Sequence, residues 1–368
     1  MGRAVRIALV VAAAACALPP ARAGELDGRL RLQVGQEFDS NARRVYGARE
    51  DSPADFLANL VFQGEIGYRR GAHRLALELH GGAKLFYQRR SEHLLATYLA
   101  GRWRQVLPGQ RSFGVRLTLR DTTQAVHSRD YLLATGEVFS RRVFHPGIPI
   151  ALEAFAGGRY FIFKPDHEAD LIRSTNLGPS IGLRLSASFS PAWSAGLSYR
   201  FDTRFFDQPA LAGQTGEGVL LGRDRQDERH IGVAQLRFQM HWWERHRLIV
   251  QTSYFLSFND SNSLSSSALW HRLRLVLSMQ LPWDLAVHLM GTVQYTDYLD
   301  GIYLESTAYE PDADENENAF AIRISWCFWR DLSLLLQAAL YRNAFHSQEA
   351  ERFQRETVML GLAYGWSF

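Results

Sequence analysis

The stretch "VMLGLAYGWSF", residues 358–368, alternates large apolar side chains with mostly small or polar ones. Successive side chains of a β-strand point to opposite faces, so a period of two predicts a strand with one strongly apolar face. The pattern runs to Phe368, the last residue, although the ends of water-soluble domains are usually solvated and frayed. We therefore expect the apolar face of this strand to meet something other than water.

The same alternation recurs along the sequence, which predicts about sixteen strands, with a range of 14–18 because segments 94–106 and 131–140 are weak. No apolar run after the N-terminal segment approaches the length of a membrane-spanning helix. The predicted strands are 26–38, 56–68, 75–87, 94–106, 112–122, 131–140, 150–163, 178–190, 193–205, 230–242, 247–259, 269–281, 285–296, 318–329, 332–342 and 356–368.

The links between these segments alternate between short and long. Links after even-numbered strands are brief, such as "ERH" at 244–246, whereas several links after odd-numbered strands are long, such as 206–229. Eight of the nine tryptophans fall at strand ends beside short links. Short and long links alternating around an even number of strands are typical of transmembrane barrels. The sequence therefore predicts an all-β, antiparallel up-and-down transmembrane barrel with short periplasmic turns and long extracellular loops.

The N-terminus reads as an export signal. Arg3 and Arg6 precede an apolar segment, 7–18, which is followed by an A-x-A motif at 21–23. We expect cleavage after Ala23, localisation in the outer membrane, and a single barrel domain over 24–368; lipidation at Cys16 is the alternative. Cleavage removes three arginines and no acid, which leaves 38 basic against 38 acidic residues. This balance gives no case for nucleic-acid binding.

The closing residues Tyr364, Trp366 and Phe368 are similar to the C-terminal signal that the barrel-assembly machinery recognises. With the strand pattern, they make the chain resemble a Gram-negative outer-membrane β-barrel of porin size. The motif "FDSN" at 38–41 is similar to the "YDSN"-type opening of barrels associated with surface and exopolysaccharide export, with Phe38 in place of tyrosine. The resemblance implies outer-membrane lipid, lipopolysaccharide and the assembly machinery as partners. It would also allow export-system partners that the sequence does not name.

The face opposite the apolar one is rich in arginine and carries fewer acids, among them Glu153 and Asp202. Excess arginine in a wide aqueous lumen would favour anions, whereas arginines paired with these acids would only line a wet wall. Both interpretations stay open. The predicted lumen-lining residues are Arg29, Arg31, Arg116, Arg120, Arg159, Arg184, Arg200, Arg204, Arg237, Arg272, Arg274 and Arg323.

Two further features of the sequence are candidate sites. The acidic link 297–317 contains Asp312, Asp314 and Glu315, whose carboxylates could hold a divalent cation, although a solvated loop is the simpler interpretation. His271 falls near Ser265–Ser267, but no motif of a barrel hydrolase accompanies it. We expect neither an enzymatic activity nor a cofactor.

Three functions are compatible with the sequence. The first is a porin-like channel for passive passage of small hydrophilic, and on the arginine-rich interpretation anionic, solutes. The second is the outer-membrane component of a surface polysaccharide or lipid-linked cargo export system. The third is a closed structural or adhesive barrel, because long outer loops also serve as receptors.

Overall fold

A computed structural model describes residues 25–42, 54–124, 130–163, 175–212, 219–243, 246–263, 266–299, 318–344 and 352–368. These residues form sixteen strands and one short 3-10 turn, Arg90–Glu92. The strands are β1 Glu25–Asp39, β2 Asp55–Arg70, β3 His73–Phe86, β4 Leu94–Leu107, β5 Arg111–Gln124, β6 Tyr131–Phe144, β7 Ile150–Phe163, β8 Asn176–Ser188, β9 Trp193–Ala212, β10 Val219–Trp243, β11 His246–Ser261, β12 Ala268–Leu281, β13 Leu285–Tyr298, β14 Asn318–Trp329, β15 Leu332–Ala344 and β16 Arg352–Ser367.

Each strand pairs antiparallel with its neighbours in sequence, and β1 pairs with β16 to close the ring. The predicted fold class and strand count are confirmed. The links after even-numbered strands have two to five residues, so all of them lie at one end of the barrel, the short-turn end. The other connections lie at the opposite end, the long-loop end.

Two strands extend beyond their predicted bounds. The link expected over 206–229 is largely an extension of the β9–β10 hairpin, in which β9 continues to Ala212 and β10 begins at Val219. Register shifts interrupt this extension between Leu220 and Asp224 and again before Gln226. Its residues lack the regular alternation of the barrel wall. These strand ends are held by main-chain pairing that continues the hairpin, although their side chains form no periodic apolar face.

The outer face of the barrel is apolar and exposed. Along β16 and β1, the exposed side chains include Leu32, Val34, Leu360 and Trp366. Tryptophans at the short-turn end add a belt of aromatic rings. Apolar side chains in such a band can contact lipid tails. The main chain can be surrounded by lipid as well, because every main-chain polar group of a closed barrel is already paired. None of the described residues belongs to a helix long and apolar enough to cross a membrane.

The C-terminal residue closes the barrel seam. The main chain of Phe368 exchanges two hydrogen bonds with Gly28 on β1, at 3.0 and 3.1 Å. The Phe368 ring covers Gly28 so closely that a Cβ there would lie 2.2 Å from a ring atom. Glycine at position 28 therefore makes room for the ring of Phe368.

Candidate functional site: the inner face of the barrel

Side-chain contacts across several strands identify the concave face. Arg102 on β4 reaches Glu153 on β7 at 3.6 Å, and Arg200 on β9 reaches Glu137 on β6 at 3.5 Å. Each pair spans three strand spacings, roughly 14 Å of sheet. Side chains converge in this way only toward the inside of a barrel. The arginine-rich face is therefore the inner face, as the alternation predicts.

Four charged side chains form a closed set on β5–β8. Arg116 donates to Glu137 at 2.7 Å and to Glu153 at 3.3 Å. Arg184 donates to Glu153 at 2.7 Å and to Glu137 at 3.0 Å. Both carboxylates are buried, whereas the two guanidinium groups stay partly exposed. Charge-assisted hydrogen bonds of this geometry are among the strongest in proteins, so the set is expected to be rigid.

Two arginines extend this set on either side. Arg102 contacts Glu153 from β4, and Arg200 contacts both Glu137 and the neighbouring Asp202 from β9. Four arginines therefore share three carboxylates across six strands. We call these residues of β4–β9 the paired wall, since its charges largely cancel.

Glycines beneath phenylalanine rings give the paired wall its flat shape. Phe139 lies over Gly114, where a Cβ would be 2.8 Å from the ring, and Phe155 lies over Gly182, where it would be 2.4 Å from the ring. The Arg184 guanidinium stacks on the Phe155 ring at 3.8 Å from its centroid. Glycine, ring and guanidinium thus form successive layers from the sheet into the lumen, and cation–π attraction holds the outer two together.

The inner faces of β10–β14 have a different composition. On the described parts of β11–β14, and on β10 from Ile231 to Gln239, no carboxylate occupies an inner-face position. We call this region the basic wall, after its five inner-face arginines. They are Arg237 on β10, Arg247 on β11, Arg272 and Arg274 on β12, and Arg323 on β14.

Neutral groups accept the hydrogen bonds of the basic wall. Arg237 and Arg247 both donate to the side-chain oxygen of Gln239, at 3.4 and 2.8 Å. Arg323 donates to the side-chain oxygen of Gln33 at 2.6 Å. An amide oxygen orients a guanidinium but leaves its charge uncancelled.

The two arginines of β12 follow the same rule. The Nε of Arg272 donates to Gln294 at 2.9 Å, and a terminal nitrogen of Arg274 lies 3.1 Å from the sulfur of Met290. The Arg272 guanidinium also lies over the Phe255 ring at 5.2 Å. Arg237 and Arg274 are exposed, so their charge faces the lumen.

The remaining predicted arginines lie elsewhere on the inner face. Arg29 and Arg31 on β1 lie opposite Glu65 and Gln63 in the strand pairing. Arg120 lies over the Tyr98 ring at 5.5 Å.

The predicted cluster of β9 and β12 arginines does not form a unit. Arg200 belongs to the paired wall, and Arg204 is buried opposite Asp227. Arg159, on β7, is buried as well, with its guanidinium 6.0 Å from the Phe161 ring. The β12 arginines lie three strands away from β9, on the basic wall.

Sequence reasoning missed Glu137 and Arg102, which complete the paired wall. Glu137 lies on β6, a weak strand prediction because its outer face carries Ala134 and Gly136 rather than large apolar residues. The available signal was the even numbering of the apolar residues Leu132 and Val138, which puts the odd-numbered Glu137 on the opposite face. Arg102 lies on β4, the other weak strand, where the inner-face parity is equally poorly marked.

The "DSN" segment at 39–41 and a second one at 260–262 close strand ends. Asp39 is fully buried and accepts two hydrogen bonds from Arg355 of β16, at 3.0 and 2.6 Å. The Ser40 hydroxyl accepts the main-chain N–H of Glu356 at 2.7 Å. In the second segment, the Asn262 side chain binds the main chain of β10 at Gln226. Both segments tie a strand end to its neighbour, which accounts for their residues without a ligand.

Two candidate sites can be placed as follows. Asp312, Asp314 and Glu315 lie outside the described residues, and among the described ones no cluster of metal-ligating side chains occurs. Nδ1 of His271 forms a hydrogen bond with the Tyr254 hydroxyl at 2.6 Å. This contact does not resemble the serine–histidine pair of a hydrolase.

Comparisons with known proteins add little to this geometry. No protein-family model matches the chain, and no curated protein matches it. The outer membrane protein OpdK from Pseudomonas aeruginosa is 12% identical, with a TM-score of 0.42 over 94% of this chain and 99% of that one. Acinetobacter baumannii OccAB3 is 9% identical, with a TM-score of 0.43 over 94% and 100%.

A third solved structure, described as a bacterial polysaccharide outer membrane secretin, is 7% identical, with a TM-score of 0.41 over 92% of this chain and 98% of that one. Likeness of this degree adds nothing to the strand pairing, from which the barrel follows. The "YDSN"-type resemblance stays a prediction.

Proposed function

We propose that this barrel is an outer-membrane channel for the passive passage of small hydrophilic solutes, with a preference for anions. The observation that supports it is the basic wall, in which Arg237, Arg247, Arg274 and Arg323 bind neutral acceptors. Arginine charges along a water-filled lumen raise the local concentration of anions and lower that of cations.

The paired wall adds little to this field. Its four arginines face three carboxylates, which leaves these seven groups with a net charge of about +1, and the same strands carry further inner-face arginines such as Arg104 and Arg141. The longest inner surface without a carboxylate among the described residues is β11–β14, so an anion crossing the lumen is expected to travel along it. The apolar outer face fits a membrane location, and the short-turn end would face the periplasm if the chain follows the usual insertion of outer-membrane barrels.

Reconstitution of the full chain in a planar bilayer tests the proposal. Under a KCl gradient, a preference for chloride shifts the reversal potential toward the chloride equilibrium potential. We expect stable conductance with chloride more permeant than potassium. Absence of conductance would contradict the proposal and favour the closed barrel, whereas potassium selectivity would contradict the preference for anions.

A triple variant locates the preference within the lumen. Arg237→Gln, Arg274→Gln and Arg323→Gln together remove three charges of the basic wall, and we expect the chloride-to-potassium permeability ratio to fall severalfold. The matched control removes three arginines near the short-turn end, with Arg70→Gln, Arg142→Gln and Arg330→Gln. An equal fall in the control would assign the preference to net charge instead of the wall.

A further inference from the structure

Two tyrosine–histidine pairs lie on the outer face of β9–β12. The Tyr199 hydroxyl is 2.8 Å from Nδ1 of His230, and the Tyr254 hydroxyl is 2.6 Å from Nδ1 of His271. In each pair, the tyrosine lies opposite the residue two positions after the histidine, Gly232 or Leu273. The same diagonal contact therefore occurs twice, on adjacent strand pairs.

These pairs lie where the apolar band ends. Toward the short-turn end, the outer face continues with apolar residues such as Leu236. Toward the long-loop end, His230 is followed on β10 by Glu228, which lies opposite Asp260, and both carboxylates are exposed. His271 is followed on β12 by Leu269, which lies opposite the exposed Asp297 of β13. A change from apolar to charged side chains marks the level at which lipid tails give way to headgroups.

Neighbouring rings hold the two imidazoles at this level. Phe201 lies 5.0 Å and Phe258 6.1 Å from the His230 ring, and Tyr295 lies 6.3 Å from the His271 ring, all between ring centroids. Tyr199 and Tyr254 are 47% and 40% exposed, so the strip faces the lipid.

The direction of these hydrogen bonds sets which imidazole nitrogen carries a proton. Because a phenol is a stronger acid than a neutral imidazole, we assign each tyrosine as the donor and each Nδ1 as the acceptor. The proton of a neutral imidazole then resides on Nε2, which becomes a donor. Among the described residues, Nε2 of neither His230 nor His271 has a hydrogen-bond acceptor. Two N–H donors thus face the bilayer at headgroup level without an acceptor in the described part of the chain.

We propose that His230 and His271 bind the phosphate of a phosphorylated lipid in the surrounding leaflet. A phosphate oxygen satisfies each N–H donor, which would otherwise be exposed to lipid without a partner. The flanking rings provide a flat apolar surface for the acyl chains below the phosphate. Glu228 and Asp260 would repel an anion, so binding is expected to require a divalent cation that screens these carboxylates.

Native mass spectrometry of the full-length barrel in detergent with Mg²⁺ tests this site. The probes are lipid A carrying two phosphates and the same lipid after removal of both phosphates. The variant His230→Phe with His271→Phe keeps ring size and removes both donors, and we expect its lipid A affinity to fall about tenfold for each histidine. Tyr199→Phe with Tyr254→Phe frees the tautomer and should weaken binding by a smaller factor.

His73→Phe is the matched control, because His73 also lies on the outer face but stacks on Trp103 at the short-turn end without a tyrosine partner. Its affinity should equal that of the unmodified chain. Heat-modifiable migration on a gel establishes that each variant is folded. Equal affinity of the double histidine variant and the unmodified chain overturns the proposal. So does equal binding of the phosphate-free lipid, or an equal loss in His73→Phe.

Discussion

In two regions of the lumen wall, the paired wall and the basic wall, the arginines have opposite kinds of partner. On the paired wall, Arg116 and Arg184 each bind two carboxylates. On the basic wall, Arg274 and Arg323 meet a thioether and an amide. The residue type and the strand geometry are the same, and only the neighbours across the sheet differ. An arginine count therefore says little about the field in a barrel until the partners of each side chain are known.

The difference has a consequence for stability as well as for charge. A carboxylate between two guanidinium groups on a concave wall joins strands that are not adjacent, so the paired wall is expected to resist deformation. On the basic wall, Arg237, Arg247 and Arg323 donate to neutral amide oxygens, and a hydrogen bond with one charged partner is worth about 1.5–3 kcal/mol net. The basic wall therefore contributes to the electrostatic field of the lumen without joining distant strands as the paired wall does.

Removal of both carboxylates should produce the largest change. In Glu137→Gln with Glu153→Gln, four arginines of the paired wall keep only Asp202 as a counter-charge. Breaking a buried ion pair by removing one partner costs about 3–5 kcal/mol, and partial exposure of the arginines reduces this figure. We expect a lower urea midpoint of unfolding, followed by tryptophan fluorescence, and a higher chloride-to-potassium permeability ratio. An unchanged ratio would mean that the paired wall is not exposed to the permeating ions.

A methyl group beneath a ring should disturb the paired wall without altering its charge. In Gly182→Ala, the new Cβ would lie 2.3 Å from the main-chain oxygen of Tyr199 and 2.4 Å from the Phe155 ring, so the ring and the stacked Arg184 must shift into the lumen. Overpacking of this kind costs about 1–3 kcal/mol. We expect lower single-channel conductance. Gly365→Ala is the control, because a Cβ there meets no atom within 4 Å.

A single substitution can introduce an ion pair into the basic wall. In Met290→Glu, a carboxylate replaces the sulfur that lies 3.1 Å from Arg274, so an ion pair forms and one charge of the wall is cancelled. We expect roughly a twofold lower chloride-to-potassium permeability ratio, measured by reversal potential. Met290→Gln keeps the size and adds no charge, and it should leave the ratio near that of the unmodified chain. A fall of equal size in both variants would indicate a steric effect.

Of these changes, a higher salt concentration should have the smallest effect on the difference between the two walls. Electrostatic screening shortens from about 10 Å at 0.1 M to about 3 Å at 1 M ionic strength. The field of the basic wall then reaches only a fraction of the lumen, so the chloride preference should decline toward unity as KCl is raised. Unfolding of the paired wall should be much less sensitive, because its buried pairs are poorly screened. A preference that persists at 1 M KCl would point to a narrow constriction instead of a long-range field.

The alternation of side chains was sufficient to predict the barrel, its sixteen strands and most strand bounds. Period two is a local property, and a strand with one apolar face keeps that face whatever its partners are. Parity alone also assigns Arg116, Arg184, Arg274 and Arg323 to one side of the sheet. It failed where an outer face is built from small residues, as at Gly136 beside Glu137.

The sequence by itself therefore determined the fold and placed twelve arginines on its inner face, because both follow from period and strand order. Only the tertiary structure decided which arginines are neutralised. Glu137 and Arg184 are separated by 47 residues, and their contact depends on register and on the concave curvature of a closed ring. The same holds for Tyr254 and His271, whose diagonal contact needs the β11–β12 register. Partner choice across strands is a property of the closed barrel, which no single strand encodes.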